Sequence, residues 1–279
     1  MDLDSEVGQT TSKILQTALL IFFIASCRHL KDENRKKPSL TEVSDENARI
    51  SVASDSVAEK KTIYLTFDDG PNRGTGNVLA IAEEEQIPIS MFLIGVQLHG
   101  SPGQEANYKR ILKNNLIEVA NHSYTHAHNH FDRFYTKPQE VIDDFARCAD
   151  SLHLTNKIVR TPGRNIWRTS RLHFTDMKKS SATADSFYNA GFKAMGWDVE
   201  WPFNSHLSLT KTPEEILQRI DSFFAKNITR TPNQLVLLAH DQTFTDSTDA
   251  ASLHTLIKQL KADGRYQFKL ISDYPGVKN

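Results

Sequence analysis

The 279-residue chain has two cysteines, Cys27 and Cys148, so at most one disulfide is available and a disulfide scaffold is excluded. Neither sign of charge dominates: 33 Lys and Arg face 34 Asp and Glu, for a formal net charge of −1. With that balance and no basic stripe, the sequence lacks the electrostatic footprint of a nucleic-acid binder. No apolar run reaches the roughly 20 residues of a comfortable membrane span. The apolar run over residues 14–26 is too short. No internal repeat is visible, and residues 28–59 contain no Phe, Tyr or Trp. What remains, about 220 residues, suits one α/β barrel-sized domain with ample core.

That remainder alternates in character. Strand-like runs lie at 62–67, 89–94, 116–120, 157–160, 192–198, 234–239 and 267–271. Helical patterns lie between them, around 77–86, 104–114, 138–152, 180–190, 213–226 and 249–262. Thr212-Pro213-Glu214-Glu215 has capping-box spacing with Pro at the first helical position, and Asp263-Gly264 is a stop signal. Repeated β–α units favour parallel strands, with active residues gathered at the strands' C-terminal ends. Cys148 reads as a buried, inert thiol on a helix.

Five segments carry chemistry. Residues 62–71, Thr-Ile-Tyr-Leu-Thr-Phe-Asp-Asp-Gly-Pro, end an apolar run in two carboxylates, Asp68 and Asp69. Neighbouring strand residues face opposite ways, but a bend at the strand end brings both into one pocket. One acid can then bind a metal while the other moves a proton. On turn statistics alone, Asp-Asp-Gly-Pro is a plain turn. His122-Ser123-Tyr124-Thr125-His126 places two imidazoles four apart, on one face if the segment turns helically. Two His and one carboxylate give the three protein ligands of a catalytic zinc site. His128 and His130 follow, so a histidine-rich surface loop is the competing reading. Arg160-Thr161-Pro162-Gly163, Gly196-Trp197-Asp198-Val199-Glu200-Trp201 and the run ending in His240-Asp241 each follow an apolar stretch. Taken singly, Arg160 fits a surface ion pair, Trp197 a core residue and His240 a satisfied strand-end histidine.

Taken in order, these segments resemble the polysaccharide deacetylase family, the NodB-homology group of carbohydrate esterases. The resemblance spans about residues 60–275 and implies a distorted or incomplete (β/α) barrel that binds one divalent metal and removes acetyl groups from a sugar polymer. It implies that Asp69, His122 and His126 hold the metal: Zn2+, with Co2+, Mn2+ or Ni2+ as alternatives. Asp68 becomes the base, Arg160 the residue that orients it and His240 the acid. Two segments depart from the family pattern. Pro162 runs straight into Gly163, where an aromatic residue is usual. The fourth segment lacks the usual order of its acid and its Asp-Trp pair. Asp198 is read there as the polar partner that supports His240, with Glu200 or Trp201 as alternatives for the family's later positions. Trp197, Trp201 and Trp167 offer flat surfaces for sugar rings. The Tyr124 backbone N–H is the candidate donor to the reaction's oxyanion.

Residues 1–27 read as a signal segment. Ile24-Ala25-Ser26-Cys27 resembles a lipoprotein box, which would place a lipid on Cys27, although Asp2, Asp4 and Glu6 precede Lys13. Residues 28–59 read as a polar tether, in which Lys31-Asp32-Glu33 resembles a surface-export signal. The expected location is the cell envelope, facing the periplasm or the cell surface. The expected function is N-deacetylation of an N-acetylhexosamine polymer such as peptidoglycan or a chitin-like glycan. The alternatives are an O-acetyl esterase of the xylan type and an inactive carbohydrate-binding surface lipoprotein.

Overall fold

The computed structural model describes residues 60–278 apart from Met177. The expected signal segment, Cys27 and the tether lie outside the described residues. Ten strands form one sheet. They are β1 (Lys61–Gly70), β2 (Ile89–Leu93), β3 (Ile117–Asn121), β4 (Ile158–Val159), β5 (Ile166–Arg168), β6 (His173–Thr175), β7 (Lys193–Ala194), β8 (Val199–Glu200), β9 (Gln234–His240) and β10 (Tyr266–Phe268). The helices are α1 (Thr75–Glu85), α2 (Pro102–Ile111), α3 (Phe131–Phe134), α4 (Pro138–Ser151), α5 (Ser181–Asn189), α6 (Pro213–Ala225) and α7 (Ser247–Asp263).

The strand order is β6-β5-β7-β4-β3-β2-β1-β9-β8, with β10 also paired to β1. β1 is central and buried along nearly its whole length, which explains why apolar residues occupy both of its faces over 63–67. Its side chains still alternate. Ile63, Leu65 and Phe67 join the core cluster that includes α1, α6 and α7 residues. Tyr64 packs instead with Phe92, Trp167, Val236 and Tyr274. Thr66 and Asp68 share the parity of Tyr64, so Asp68 is delivered to the sheet's inner face. On the outside, α6 buries Ile216, Ile220 and Phe224, and α7 buries Leu253, Leu256, Ile257 and Leu260. Such a stripe at helical spacing docks each helix, at roughly 1.5–3 kcal/mol for each large apolar side chain fully buried.

The local signals act as their chemistry requires. Thr212 Oγ1 accepts from Glu215 N at 3.3 Å and Glu215 Oε2 accepts from Thr212 N at 2.9 Å, closing the capping box. Gly264 ends α7 at φ +74°, where a side chain would be strained. Cys148 is buried on α4, and burial pushes its thiol up to about 12.

Two expectations need correction. The sheet is not wholly parallel, because β5 runs antiparallel to both β6 and β7. The 192–198 run is also not one strand. β7 pairs with β4, whereas β8 pairs with β9 at the far edge of the sheet. The segment between them crosses from the interior position of β7 to the far edge. Gly196 permits the crossing: a Cβ there would lie 2.0 Å from Asn165 Oδ1 and 2.4 Å from Trp167 Nε1. The end strands β6 and β8 do not pair, so the barrel is incomplete.

Candidate active site

β1 and β9 run in register, pairing Asp68 with His240 at their C-terminal ends. One residue later the strand bulges. Asp69 takes φ +73°, and the β1–β2 register shifts between Asp68 and Gly70. Asp tolerates the left-handed region better than most residues, and a bulge re-aims a side chain. The two consecutive carboxylates therefore reach the same imidazole. His122 Nε2 is 3.6 Å from Asp68 Oδ2 and 3.4 Å from Asp69 Oδ1.

His122 follows β3 directly. The loop beyond it is held by Asp144 on α4, which accepts from Tyr124 N at 2.9 Å and from the Ser123 hydroxyl. His126, Ala127, His128 and Asn129 then have successive φ values of 54°, 54°, 50° and 57°. This left-handed turn, rather than a right-handed helix, brings His126 Nε2 to 3.1 Å from Asp69 Oδ1. The expected helical pairing of the two His is thus replaced by a turn that reaches the same point.

Arg160 is fully buried and ties four elements together. Its Nη1 donates to Thr66 Oγ1 at 2.8 Å and Asp68 Oδ1 at 2.9 Å. Its Nε donates to the Met195 carbonyl and its Nη2 to the Gly196 carbonyl, each at 3.0 Å. The guanidinium also lies over the Phe92 ring, 4.0 Å from the centroid. Burial lowers the Arg160 pKa, and the Asp68 carboxylate partly offsets that. With this many donors engaged, the residue is a fixed strut and not a surface ion pair.

The donor set suits a divalent cation. His122 Nδ1 lies 3.0 Å from the Arg160 carbonyl, which can only accept, so Nδ1 carries the proton. His126 Nδ1 lies 2.9 Å from Asn129 Oδ1, with the same consequence. In the neutral rings both Nε2 lone pairs then face Asp69, whose buried Oδ1 makes no hydrogen bond. Such an arrangement repels itself unless a cation or added protons lie between. With those added protons on the imidazoles, burial still pushes the Asp69 carboxyl up, but the two rings outweigh it and hold the carboxyl well below the usual range. For His126, burial pulls down and Asp69 more than compensates, leaving it raised. One ligand atom from each of the three residues lies within 4.8 Å of the others. Two imidazole nitrogens and one carboxylate oxygen fit a catalytic zinc site with an open position.

These groups line a cleft of about 430 Å3. Trp197, Phe131 and Phe203 form apolar walls, and Glu200 and Gln242 also border it. His240 packs against Phe203 with ring centroids 4.9 Å apart, and its Nδ1 is buried without a partner.

Several expected site residues lie elsewhere. Asp198 does not support His240. It accepts from Arg230 N and Val236 N, each at 2.8 Å, and so ties the crossing segment to β9. Burial pushes its carboxyl up to about 6 despite those two donors. The Tyr124 N–H is spent on Asp144, and its ring stacks on Arg147 at 3.6 Å, so it is not the oxyanion donor. Trp201 is fully buried, donates to the Lys211 carbonyl at 2.8 Å and packs against Phe244, so it is core and not groove wall. Trp167 is likewise fully buried.

Other residues were not singled out from the sequence. Gln242 Nε2 donates to Asp69 Oδ2 at 3.1 Å. Asp241 is fully buried and accepts from the Thr75 hydroxyl and the Asn72 amide, and Asn72 Nδ2 also reaches the Asp69 carbonyl at 3.2 Å. Burial pushes the Asp241 carboxyl up to about 8. The available signal was position: Asp241 and Gln242 directly follow the strand-end His240.

The chain is similar to several known proteins. The family model for polysaccharide deacetylase matches residues 55–178. The chain is 24% identical over 220 residues to the peptidoglycan-N-acetylglucosamine deacetylase of Bacillus cereus, covering 76% of this chain and 69% of that one. It is 35% identical over 145 residues to the chitooligosaccharide deacetylase of Bradyrhizobium sp., covering 52% of this chain and 59% of that one. The fold matches a Streptococcus mutans CE4 esterase with TM-score 0.57 at 21% identity, covering 76% of this chain and 86% of that chain. It also matches the family 4 carbohydrate esterase of Streptomyces lividans, with TM-score 0.55 at 20% identity, covering 77% and 95% of the two chains. Residues 55–178 thus match a polysaccharide deacetylase domain, the chain is a hydrolase of that type, and its fold is the one shared by the carbohydrate esterases it matches.

Proposed function

We propose that this hydrolase is a metal-dependent N-deacetylase of N-acetylhexosamine residues in a polysaccharide, of the peptidoglycan or chitin-like class. The observation that carries the reading is the convergence of Asp69, His122 and His126 beside Asp68, a second carboxylate held by a buried Arg160. A divalent cation on those three ligands, Zn2+ by donor set, supplies Lewis acidity toward the acetyl carbonyl and a lowered pKa for water. Asp68 takes the proton of the attacking water at Oδ2, while its Oδ1 is occupied by Arg160. His240, on the neighbouring strand in register with Asp68, gives a proton to the departing sugar nitrogen. Trp197, Phe131 and Phe203 present apolar faces to the sugar and keep water from the reacting bond.

Support for an N-linked acetyl comes from the similar proteins, whose names specify peptidoglycan N-acetylglucosamine and chitooligosaccharide. An O-acetyl esterase would use the same groups, since only the leaving atom differs. A pure binder would need neither a base nor an acid. Acetate release from matched N- and O-acetylated glycans tests the reading, and release from the O-acetylated glycan alone overturns it. We read residues 1–27 as a lipoprotein signal with the lipid on Cys27, tethering the domain to the cell envelope. Retention of Cys27→Ser on membranes overturns that part.

A further inference from the structure

Asp241 is fully buried, and among the described residues no Lys, Arg or His pairs with its carboxyl group. The charges that act on it are Asp69 and Asp68, which both repel. An acid kept in such a place is costly, and the proposed reaction gives it no proton to move.

What Asp241 touches is the turn that carries Asp69. Its Oδ1 accepts from the Asn72 side-chain amide and its Oδ2 from the Thr75 hydroxyl. Asn72 Nδ2 also donates to the Asp69 carbonyl at 3.2 Å, and Asn72 Oδ1 accepts from Gly74 N at 2.9 Å. The Asn72 backbone N–H donates to Thr75 Oγ1 at 2.8 Å. The turn also presses closely on Asp241. A Cβ at Gly70 would lie 2.7 Å from Asp241 Oδ2, and one at Gly74 would overlap the Asp241 carbonyl. Both ends of the turn are therefore moulded on this one residue.

The place of the Asp69 carboxylate depends on that turn. Its φ of +73° lies in the left-handed region. A non-glycine residue there costs on the order of 1–3 kcal/mol and persists only where its surroundings impose the conformation. The Asp side chain is short, so the position of Oδ1 follows the backbone. The carboxylate itself takes one hydrogen bond, from Gln242 Nε2 to Oδ2 at 3.1 Å. Oδ1 is left facing His122 Nε2 and His126 Nε2.

We infer that Asp241 is a positioning residue for the metal. Through Asn72 and Thr75 it fixes the turn after β1 so that Asp69 Oδ1 meets the two imidazole nitrogens. The inference rests on the metal site of the proposed function. The end of β9 then supplies three things in succession: the acid His240, the strut Asp241 and the amide of Gln242 that orients the carboxylate.

Four variants test it. Asp241→Leu removes both acceptors and leaves the Thr75 hydroxyl and an Asn72 N–H without partners. Asp241→Asn keeps the shape and one acceptor, and its amide can donate to Thr75 Oγ1. Thr75→Val removes the hydroxyl at nearly constant volume, whereas Thr75→Ser keeps it. The full chain, stripped of metal, is titrated with Zn2+ against a chelating dye, and unfolding of each metal-free protein is measured by chemical denaturation. Asp241→Leu and Thr75→Val are expected to weaken Zn2+ binding about 10–100-fold, the usual loss for a partner behind a ligand. Asp241→Asn and Thr75→Ser are expected to stay close to wild type. Should Asp241→Leu fail to fold, Thr75→Val carries the test. Lower stability in Asp241→Leu and Thr75→Val with unchanged Zn2+ affinity of the folded proteins overturns the inference, because the residue then serves the fold alone. A loss in Asp241→Asn as large as in Asp241→Leu also overturns it, because charge and not contact is then the source of the affinity. Failure of the wild type to bind Zn2+ overturns the metal site itself, and the role of Asp241 with it.

Discussion

Asp68 and His240 are register partners on adjacent parallel strands, so the proposed base and acid stand side by side at the end of a rigid ladder. Asp68→Asn is expected to retain the metal and lose about a hundredfold or more in turnover, the usual range for a lost general base. His240→Ala is expected to retain the metal and to lose more on an amide than on an activated aryl ester. An amine must be protonated to leave, whereas a good phenolate needs less help. Steady-state kinetics on both substrates at one pH, with metal content verified, checks this. Equal losses on the two substrates would make His240 an orienting residue.

Arg160 is expected to matter for stability as well as turnover. Its guanidinium and the Asp68 carboxylate are both almost wholly buried. Arg160→Met leaves that carboxylate buried and unpaired, a loss of about 3–5 kcal/mol. Chemical denaturation of the variant measures it. A loss below about 1 kcal/mol would show that water replaces the guanidinium.

The left-handed turn at 126–129 makes a separate prediction. Each non-glycine residue held there costs roughly 1–2 kcal/mol, so the turn needs outside support. Asn129, which accepts from His126 Nδ1, supplies part of it. Asn129→Ala is expected to weaken metal affinity about 10–100-fold, as loss of a partner behind a ligating imidazole does. Competitive titration with a chelating dye reads this without reference to activity. Unchanged affinity would show that backbone packing alone holds His126.

How far the sequence revealed this arrangement depends on the kind of residue. β1 and β9 were visible because a central parallel strand must be apolar on both faces. Thr212 and Gly264 were visible because caps act locally. Asp68, Asp69, His122, His126, Arg160 and His240 were found through short patterns at strand ends, and the structure brings all six to one end of the sheet. Trp201, Trp167, Tyr124 and Asp198 were misplaced because residue type does not reveal which face of an irregular segment meets the cleft. The 192–198 segment reads as one strand, yet Gly196 lets it cross from β7 to the β8 edge and turns Asp198 toward β9. The Asp241–Thr75–Asn72 contacts join positions far apart in the chain, and no local pattern announces such contacts.

Asp198 gives a pH prediction. Its carboxyl is pushed up to about 6 in the fold, above the ordinary value near 3.9. A raised carboxyl binds its proton more tightly when folded. Its contribution to stability is therefore fully present below about pH 4 and lost as pH rises through about 6. Between pH 4 and 7 the wild type is expected to lose stability relative to Asp198→Asn, whose side chain does not titrate. Thermal melts of both proteins across that range check it, and parallel curves would show that the two backbone donors cancel the effect of burial.

The most direct measurement is acetate release from an N-acetylglucosamine oligosaccharide by the full chain, first stripped with a chelator and then given one equivalent of Zn2+. The account predicts no release from the stripped protein, recovery on adding the ion, and no recovery in Asp69→Asn. Equal release with and without metal, or no release from protein shown to hold one ion per chain, would contradict it.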